Sequence, residues 1–296
     1  MPPILPLRRK IRYLLETAVV YIFYGFFKVL PVDTASNLGG AIMRTLGPRL
    51  AASRKAERHI AFALPELDEQ ERKTAIQGMW ENLGRVFAEY PHLDKLLDRI
   101  EVIGGHYLED VRDSDKGSIL VGGHFANWEA YAVVARKYEM PVHLVYRKPN
   151  NMYVDGILQR ARFRAGAVSN VPKGADGARQ MMRILKNKEC IGALIDQKYN
   201  KGISVPFFGK GAMTAPAIVQ MAMRFDCPIY PAQIERLEGC RFRVTIHPPV
   251  EIPELKDSDE AVYQSLLSIH QLFEEWIRQR PGQWLWLHRR WPKGEV

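Results

Sequence analysis

Ile119-Leu120-Val121-Gly122-Gly123-His124-Phe125-Ala126-Asn127-Trp128-Glu129 is the most informative stretch of the chain. An apolar strand runs into two glycines, which permit a tight turn, and then delivers a histidine at the strand's carboxyl end with a glutamate five residues later. On one continuous helix, positions five apart point about 140° away from each other. The pair therefore meets only if His124 lies on the turn and Glu129 one turn inside the following helix. A neutral imidazole in that place can take a proton from a hydroxyl, and a carboxylate on its other nitrogen fixes the tautomer and stabilises the imidazolium that forms. The helix start supplies positive partial charge for a developing oxyanion, through backbone donors near Ala126 to Trp128. A lone histidine can equally be a capping or core residue, so its company has to decide.

Working outward, the residues after 117 alternate short apolar runs with helical periodicity. Ser118 to Val121, Val142 to Tyr146, Ile191 to Ile195, Ile229 to Ile234 and Phe242 to Ile246 read as strands. Asn127 to Tyr138, Asp155 to Ala165, Ala175 to Lys186, Ala215 to Phe225 and Glu260 to Gln279 read as helices. Such alternation predicts an α/β fold with a largely parallel central sheet flanked by helices. Ligands of such sheets sit at the carboxyl ends of the strands, which draws attention to Arg147 and Asp196, each just past a strand. The region before 117 reads as helical. Its clearest helix opens at Asp68, where Asp68 and Glu71 have capping-box spacing, and continues with Ile76, Met79, Trp80, Leu83, Val86, Phe87 and Tyr90 on one face until Pro91.

The composition narrows the function classes. With 47% hydrophobic and 25% charged residues the chain is too polar for a multi-span membrane protein and too apolar for disorder. Lys and Arg number 42 against 33 acidic residues, a formal charge of +9 that suits a partner rich in phosphate or anionic headgroups. No recognition-helix, aromatic RNA-binding or zinc pattern accompanies that charge, so nucleic acid is not expected. Cys190, Cys227 and Cys240 have neither disulfide-framework nor metal-site spacing, which points to a reducing, cytoplasmic side.

The N-terminal segment follows a basic cluster, Arg8, Arg9, Lys10 and Arg12, with a mostly apolar and aromatic run from Leu14 to Leu30 that contains Glu16, Gly25 and Lys28. A signal peptide would need a small-residue cleavage site, and Pro31-Val32-Asp33-Thr34-Ala35-Ser36 is a poor one. A spanning helix needs about 20 apolar residues, about twice the cleanest run, Ala18 to Phe27. The preferred reading is an amphipathic or shallow membrane anchor over residues 1–32, with Tyr21, Phe23, Tyr24, Phe26 and Phe27 in the interface, followed by a single domain over residues 33–296.

The wider pattern resembles the lipid A biosynthesis late acyltransferases, the lauroyl and myristoyl transferases, from about residue 10 to 292. His124 and Glu129 match the His-x4-Asp/Glu signature of glycerolipid acyltransferases. Tyr146-Arg147-Lys148-Pro149-Asn150-Asn151, Asp155, the run Arg160, Arg162 and Arg164, Asp196-Gln197, Val205-Pro206-Phe207-Phe208-Gly209 with Thr214, and Gln283-Trp284-Leu285-Trp286-Leu287-His288-Arg289-Arg290-Trp291 are similar to family segments. Gly122-Gly123 departs from the Asn that often precedes the family histidine. The resemblance implies an O-acyltransferase of lipopolysaccharide biosynthesis at the cytoplasmic face of the inner membrane. Its donor would be an acyl carrier protein thioester and its acceptor a hydroxyl of a Kdo-bearing lipid A precursor, with no metal or other cofactor. By position it makes His124 and Glu129 the catalytic dyad, Arg162 and Asp196 further residues needed for activity, and Arg147 a member of the same cleft. Arg147, Arg162, Arg164 and Asp196 are the candidate substrate-binding residues. Asp196 reads equally as an ion-pair partner of one of the arginines. Arg160, Arg162 and Arg164 would be spread apart by a helix and aimed together only by an extended turn. Trp284, Trp286 and Trp291 suit either a core or a headgroup layer. Acyl transfer from acyl-CoA to another glycolipid or aminolipid, and a non-catalytic anionic-lipid binder, are the rival functions.

Overall fold

The computed structural model describes residues 6–292 and 294; residues 1–5 of the expected anchor segment and 293, 295 and 296 at the other end lie outside it. Four helices come first, α1 (Leu7–Val29), α2 (Val32–Leu46), α3 (Ser53–Ala63) and α4 (Glu69–Glu89). Asp68 accepts from the Glu71 amide and the Glu71 carboxylate accepts from the Asp68 amide, so the expected capping box is made on both sides. The glycines that weaken α4 by propensity are explained by packing. A Cβ on Gly84 would stand 2.2 Å from the Gly39 carbonyl oxygen, so α2 and α4 cross at a distance that no larger residue allows.

The remainder is the α/β layer: β1 (Ile100–Ile103), α5 (His106–Asp113), β2 (Ser118–Gly122), α6 (Ala130–Lys137), β3 (Val142–Tyr146), α7 (Met152–Ala165), β4 (Ser169–Pro172), α8 (Ala175–Lys186), β5 (Cys190–Leu194), β6 (Ile203–Phe207), β7 (Lys210–Thr214), α9 (Ala217–Phe225), β8 (Ile229–Arg236), β9 (Phe242–Ile246) and α10 (Ser258–Gln279). Seven strands form one sheet in the order β1-β9-β8-β2-β5-β3-β4. Only β8 and β9 run antiparallel, so the sheet is largely parallel, as the alternation predicts. β2 is buried along its whole length because strands flank it on both sides and helices cover its faces. β6 and β7 make a separate hairpin, turning at Phe208 and Gly209, both of which adopt positive φ.

The closing segment settles the reading of its tryptophans. Trp284, Trp286 and Trp291 are 1%, 0% and 0% exposed, so they are core residues and not a headgroup belt. Arg290 is buried among them. It donates to Thr214 Oγ1 (2.7 Å), the Met213 carbonyl (3.0 Å) and His270 Nε2 (2.8 Å), which locks the segment to the β6–β7 hairpin and α10.

Candidate active site

β2 carries the chain to Gly122, His124 occupies the turn, and Glu129 sits at the cap just before α6, one turn earlier than expected. The left-handed residue of this turn is Ala126 (φ +40°), not a glycine. Gly123 is needed for close approach: a Cβ there would lie 2.5 Å from the Phe125 ring and 3.3 Å from Asp196 Cγ. The closing segment braces the turn from outside. Ala126 donates its amide to the Gln283 carbonyl (2.9 Å), Leu285 donates to the His124 carbonyl (3.1 Å), and Phe125 forms an antiparallel bridge with Trp284. The Ala126 amide, expected among the oxyanion donors, is thereby committed to the protein.

His124 Nδ1 lies 2.7 Å from Asp196 Oδ1, and the His124 amide donates to Asp196 Oδ2 at 2.8 Å. Trp284 Nε1 donates to the same Oδ2 at 2.9 Å. Strand register explains the meeting. Gly122 pairs with Leu194 across β2 and β5, so the residues two beyond each strand, His124 and Asp196, come out side by side. Asp196 is 4% exposed. Burial alone would raise its pKa, but the adjacent imidazole and three donors outweigh that and hold the carboxyl well below the usual range. An ionised Asp196 accepts a hydrogen bond from Nδ1–H and so leaves the lone pair on His124 Nε2. That nitrogen faces Gln197 Nε2 at 3.2 Å, and the same amide lies 3.1 Å from His288 Nε2. His288 is kept neutral, its pKa pushed down to about 4 by burial and then by His124 nearby.

Glu129 does not hold His124, and the expected pairing is corrected to His124 with Asp196. Glu129 is 2% exposed and turned toward α7, where its Oε2 accepts from Arg162 Nε (2.7 Å) and its Oε1 from Arg162 Nη2 (2.6 Å). Oε1 also accepts from Tyr90 Oη and from Trp128 Nε1, the latter at 3.1 Å. Burial pushes its pKa up, but the Arg162 charge and these donors overcome that and leave it below the usual value. Arg162 gains from the same pairing, and its pKa is raised although burial works against the charge. Asp196 is accordingly not the partner of an arginine.

Arg147 reaches the cleft, which has a volume of about 430 Å³ and is lined by His124, Trp128, Arg147, Arg162, Gln197 and His288, among others. α7 spreads its arginines as a helix must. Arg162 points inward, while Arg160 donates to Tyr21 Oη (2.9 Å) and Arg164 to Tyr24 Oη, both on α1. Arg164 is thus a tie between helices and is not brought to the cleft. The sequence offered Trp284 only as a core or headgroup residue and His288 only as part of the closing run, with no role at the site for either; their polar atoms matter because that run folds back against the His124 turn. No group of three or more His, Cys, Asp or Glu side chains arranged to hold a metal occurs among the described residues.

The chain is similar to several known proteins. A lipid A biosynthesis lauroyltransferase of Escherichia coli (strain K12) is 27% identical over 246 residues, covering 79% of this chain and 76% of its own. A lipid A biosynthesis palmitoleoyltransferase of the same strain is 25% identical over 280 residues, covering 90% and 88%. A 1-acyl-sn-glycerophosphate acyltransferase of Thermotoga maritima, known from its crystal structure, aligns over 82% of this chain and 96% of its own with 14% identity and a TM-score of 0.39. The model of the bacterial lipid A biosynthesis acyltransferases takes in residues 1–293, and with nearly the whole sequence matched the chain belongs to that family.

Proposed function

We propose that this acyltransferase moves a fatty acyl chain from an acyl carrier protein thioester to a hydroxyl of a Kdo-bearing lipid A precursor, with His124 as general base. The observation that carries this reading is the His124–Asp196 pair, in which one nitrogen is fixed on a buried carboxylate and the other faces a cleft. His124 Nε2 takes the acceptor's proton as the hydroxyl oxygen attacks the thioester carbonyl carbon. Asp196 stabilises the imidazolium that results. Collapse of the tetrahedral intermediate breaks the carbon–sulfur bond, and the imidazolium returns the proton to the departing sulfur. The Gln197 amide, poised over Nε2, swings to donate to the oxyanion in place of the Ala126 amide. Glu129 and Arg162 act as positioning residues that fix the wall of the cleft.

Two apolar features support a lipid substrate. A groove of about 370 Å³ runs between α1, α2, α4 and α7, lined by Phe23, Phe27, Met43, Phe87, Ile157 and Leu158, among others, and Phe87 also lines the His124 cleft. On α1 itself Leu15, Ile22 and Val29 are 64%, 70% and 80% exposed, and the same helix carries Arg8, Arg9, Lys10 and Arg12 in its first turns. No helix among the described residues is long and apolar enough to cross a membrane. These residues fit a helix lying in the headgroup layer on the cytoplasmic face.

The test is to incubate the protein with a panel of acyl carrier protein thioesters and a tetra-acylated lipid A precursor and to read product masses. The expected product carries one additional ester-linked acyl chain. His124→Ala loses roughly 10³-fold or more in turnover with its fold retained. Unchanged turnover in that variant would defeat the mechanism, and a product formed only from acyl-CoA would reassign the donor.

A further inference from the structure

The parallel strands β5, β3 and β4 all end at the edge of the sheet where His124 sits, and the segments leaving them bring four cations together. Tyr146 pairs with Pro172, so the residues that follow, Arg147 and Lys173, stand side by side, and the Lys173 amide donates to the Tyr146 carbonyl at 3.1 Å. Lys148 is next on one side, and Gln197, Lys198 and Tyr199 arrive from β5. Arg147, Lys148, Lys173, Gln197, Lys198 and Tyr199 line a concavity of about 400 Å³, which shares Arg147, Lys173 and Gln197 with the His124 cleft.

The four charges have almost nothing to neutralise them. Among the described residues, the ion pairs within 4.0 Å include one for this group, Lys148 with Asp155, at the limit of 4.0 Å. Arg147, Lys173 and Lys198 have none. Four like charges lining one concavity give it a positive potential, and an entering anion of more than one charge gains most from it. One planar guanidinium with several ammonium groups around a small concavity matches the oxygens of a phosphoryl group. A single carboxylate would leave most of the charge uncompensated.

We infer that Arg147, Lys148, Lys173 and Lys198 form a phosphate subsite that seats a phosphoryl group of a substrate beside His124. The inference rests on the acyl-transfer reading for which substrate brings the phosphate. That is either the phosphopantetheine arm of the donor or a phosphate ester on the acceptor lipid. It does not need that reading for the site to bind phosphate. Gln197 joins the two halves: it lines the phosphate concavity and touches the nitrogen that takes the proton.

The test has a binding arm and a kinetic arm on the full chain. In the first, inorganic phosphate is titrated at low ionic strength and followed by ³¹P line broadening. Saturable broadening is expected in the native protein and at least about tenfold weaker affinity in Lys173→Gln/Lys198→Gln, checked for an unchanged melting temperature. In the second, acyl-phosphopantetheine is compared with acyl-pantetheine, and the lipid precursor with its phosphatase-treated form. One of the two phosphates should lower KM by about tenfold or more, and the double variant should narrow that ratio. The pair that responds identifies the source. No saturable binding, or a double variant that binds and discriminates as the native protein does, overturns the subsite even if acyl transfer is intact. Phosphate binding lost in the double variant, alongside absent transfer to any lipid A precursor, upholds the subsite and sinks the functional reading.

Discussion

Asp196 and Glu129 are two buried carboxylates on opposite flanks of the same turn, each held below its usual pKa, yet their partners differ in kind. Asp196 is bound to a ring whose second nitrogen faces a cleft. Glu129 is closed in by a guanidinium, a phenol and an indole, none of which can accept a substrate proton at neutral pH. A carboxylate's chemical use is therefore set by what its partner faces, and neither its burial nor its pKa distinguishes the two. On this view Asp196 serves turnover and Glu129 serves the architecture.

Asp196→Asn is the sharpest way to break the contrast. An amide can hold His124 in the wrong tautomer, so kcat should fall roughly 10³- to 10⁴-fold while KM and the melting temperature change little. A fall of less than tenfold would remove Asp196 from the relay. Glu129→Ala strands Arg162 in a buried site, and chemical denaturation should show a loss of about 3 to 5 kcal/mol. Its kcat per folded molecule should stay above that of Asp196→Asn, and the reverse order would restore Glu129 as the catalytic carboxylate.

The pH profile of stability probes the same neighbourhood. His288 and His270 are depressed to about 4 and about 3, by burial first and by the charges of His124 and Arg290 second. Unfolding returns them to about 6.5, so between about pH 6.5 and pH 4 the unfolded chain binds more protons and the folded state loses stability as the pH falls. Melting temperatures should drop across that window, and His288→Gln should flatten part of the slope by on the order of 1 to 3 kcal/mol. Asp196 and Glu129 act lower: their stabilisation is present above the usual carboxylate range and is lost below it. The smallest effect belongs to Trp284→Phe, which removes one donor from Asp196 Oδ2. It should cost about 1 to 2 kcal/mol of stability and a few-fold in kcat by steady-state assay.

Much of this was legible in the chain. Alternating apolar runs placed β2, β3, β5, β8 and β9, and the Asp68–Glu71 spacing marked the start of α4, because both are local patterns. β1 and β4 were not seen. They are four-residue edge strands, and Ser169–Pro172 contains a proline that only an edge tolerates. The strands β6 and β7 on either side of Phe208 and Gly209 were also missed, since their hairpin depends on Phe208 taking a positive φ. For the site, His124, Asp196 and Arg147 were found as residues that follow strands, but the wrong carboxylate was given to His124. Sequence spacing favours the neighbour five residues on, whereas the contact is decided by β5 lying next to β2, which only the assembled sheet reveals.

The bridge between Phe125 and Trp284 ties together residues 159 positions apart. During synthesis at about 5 to 20 residues per second, roughly 8 to 30 s separate the emergence of the two sides. Throughout that interval the turn around His124 lacks its brace, and Asp196 lacks its indole donor. On the proposed mechanism, the site is fully assembled only after the tryptophan segment has folded home.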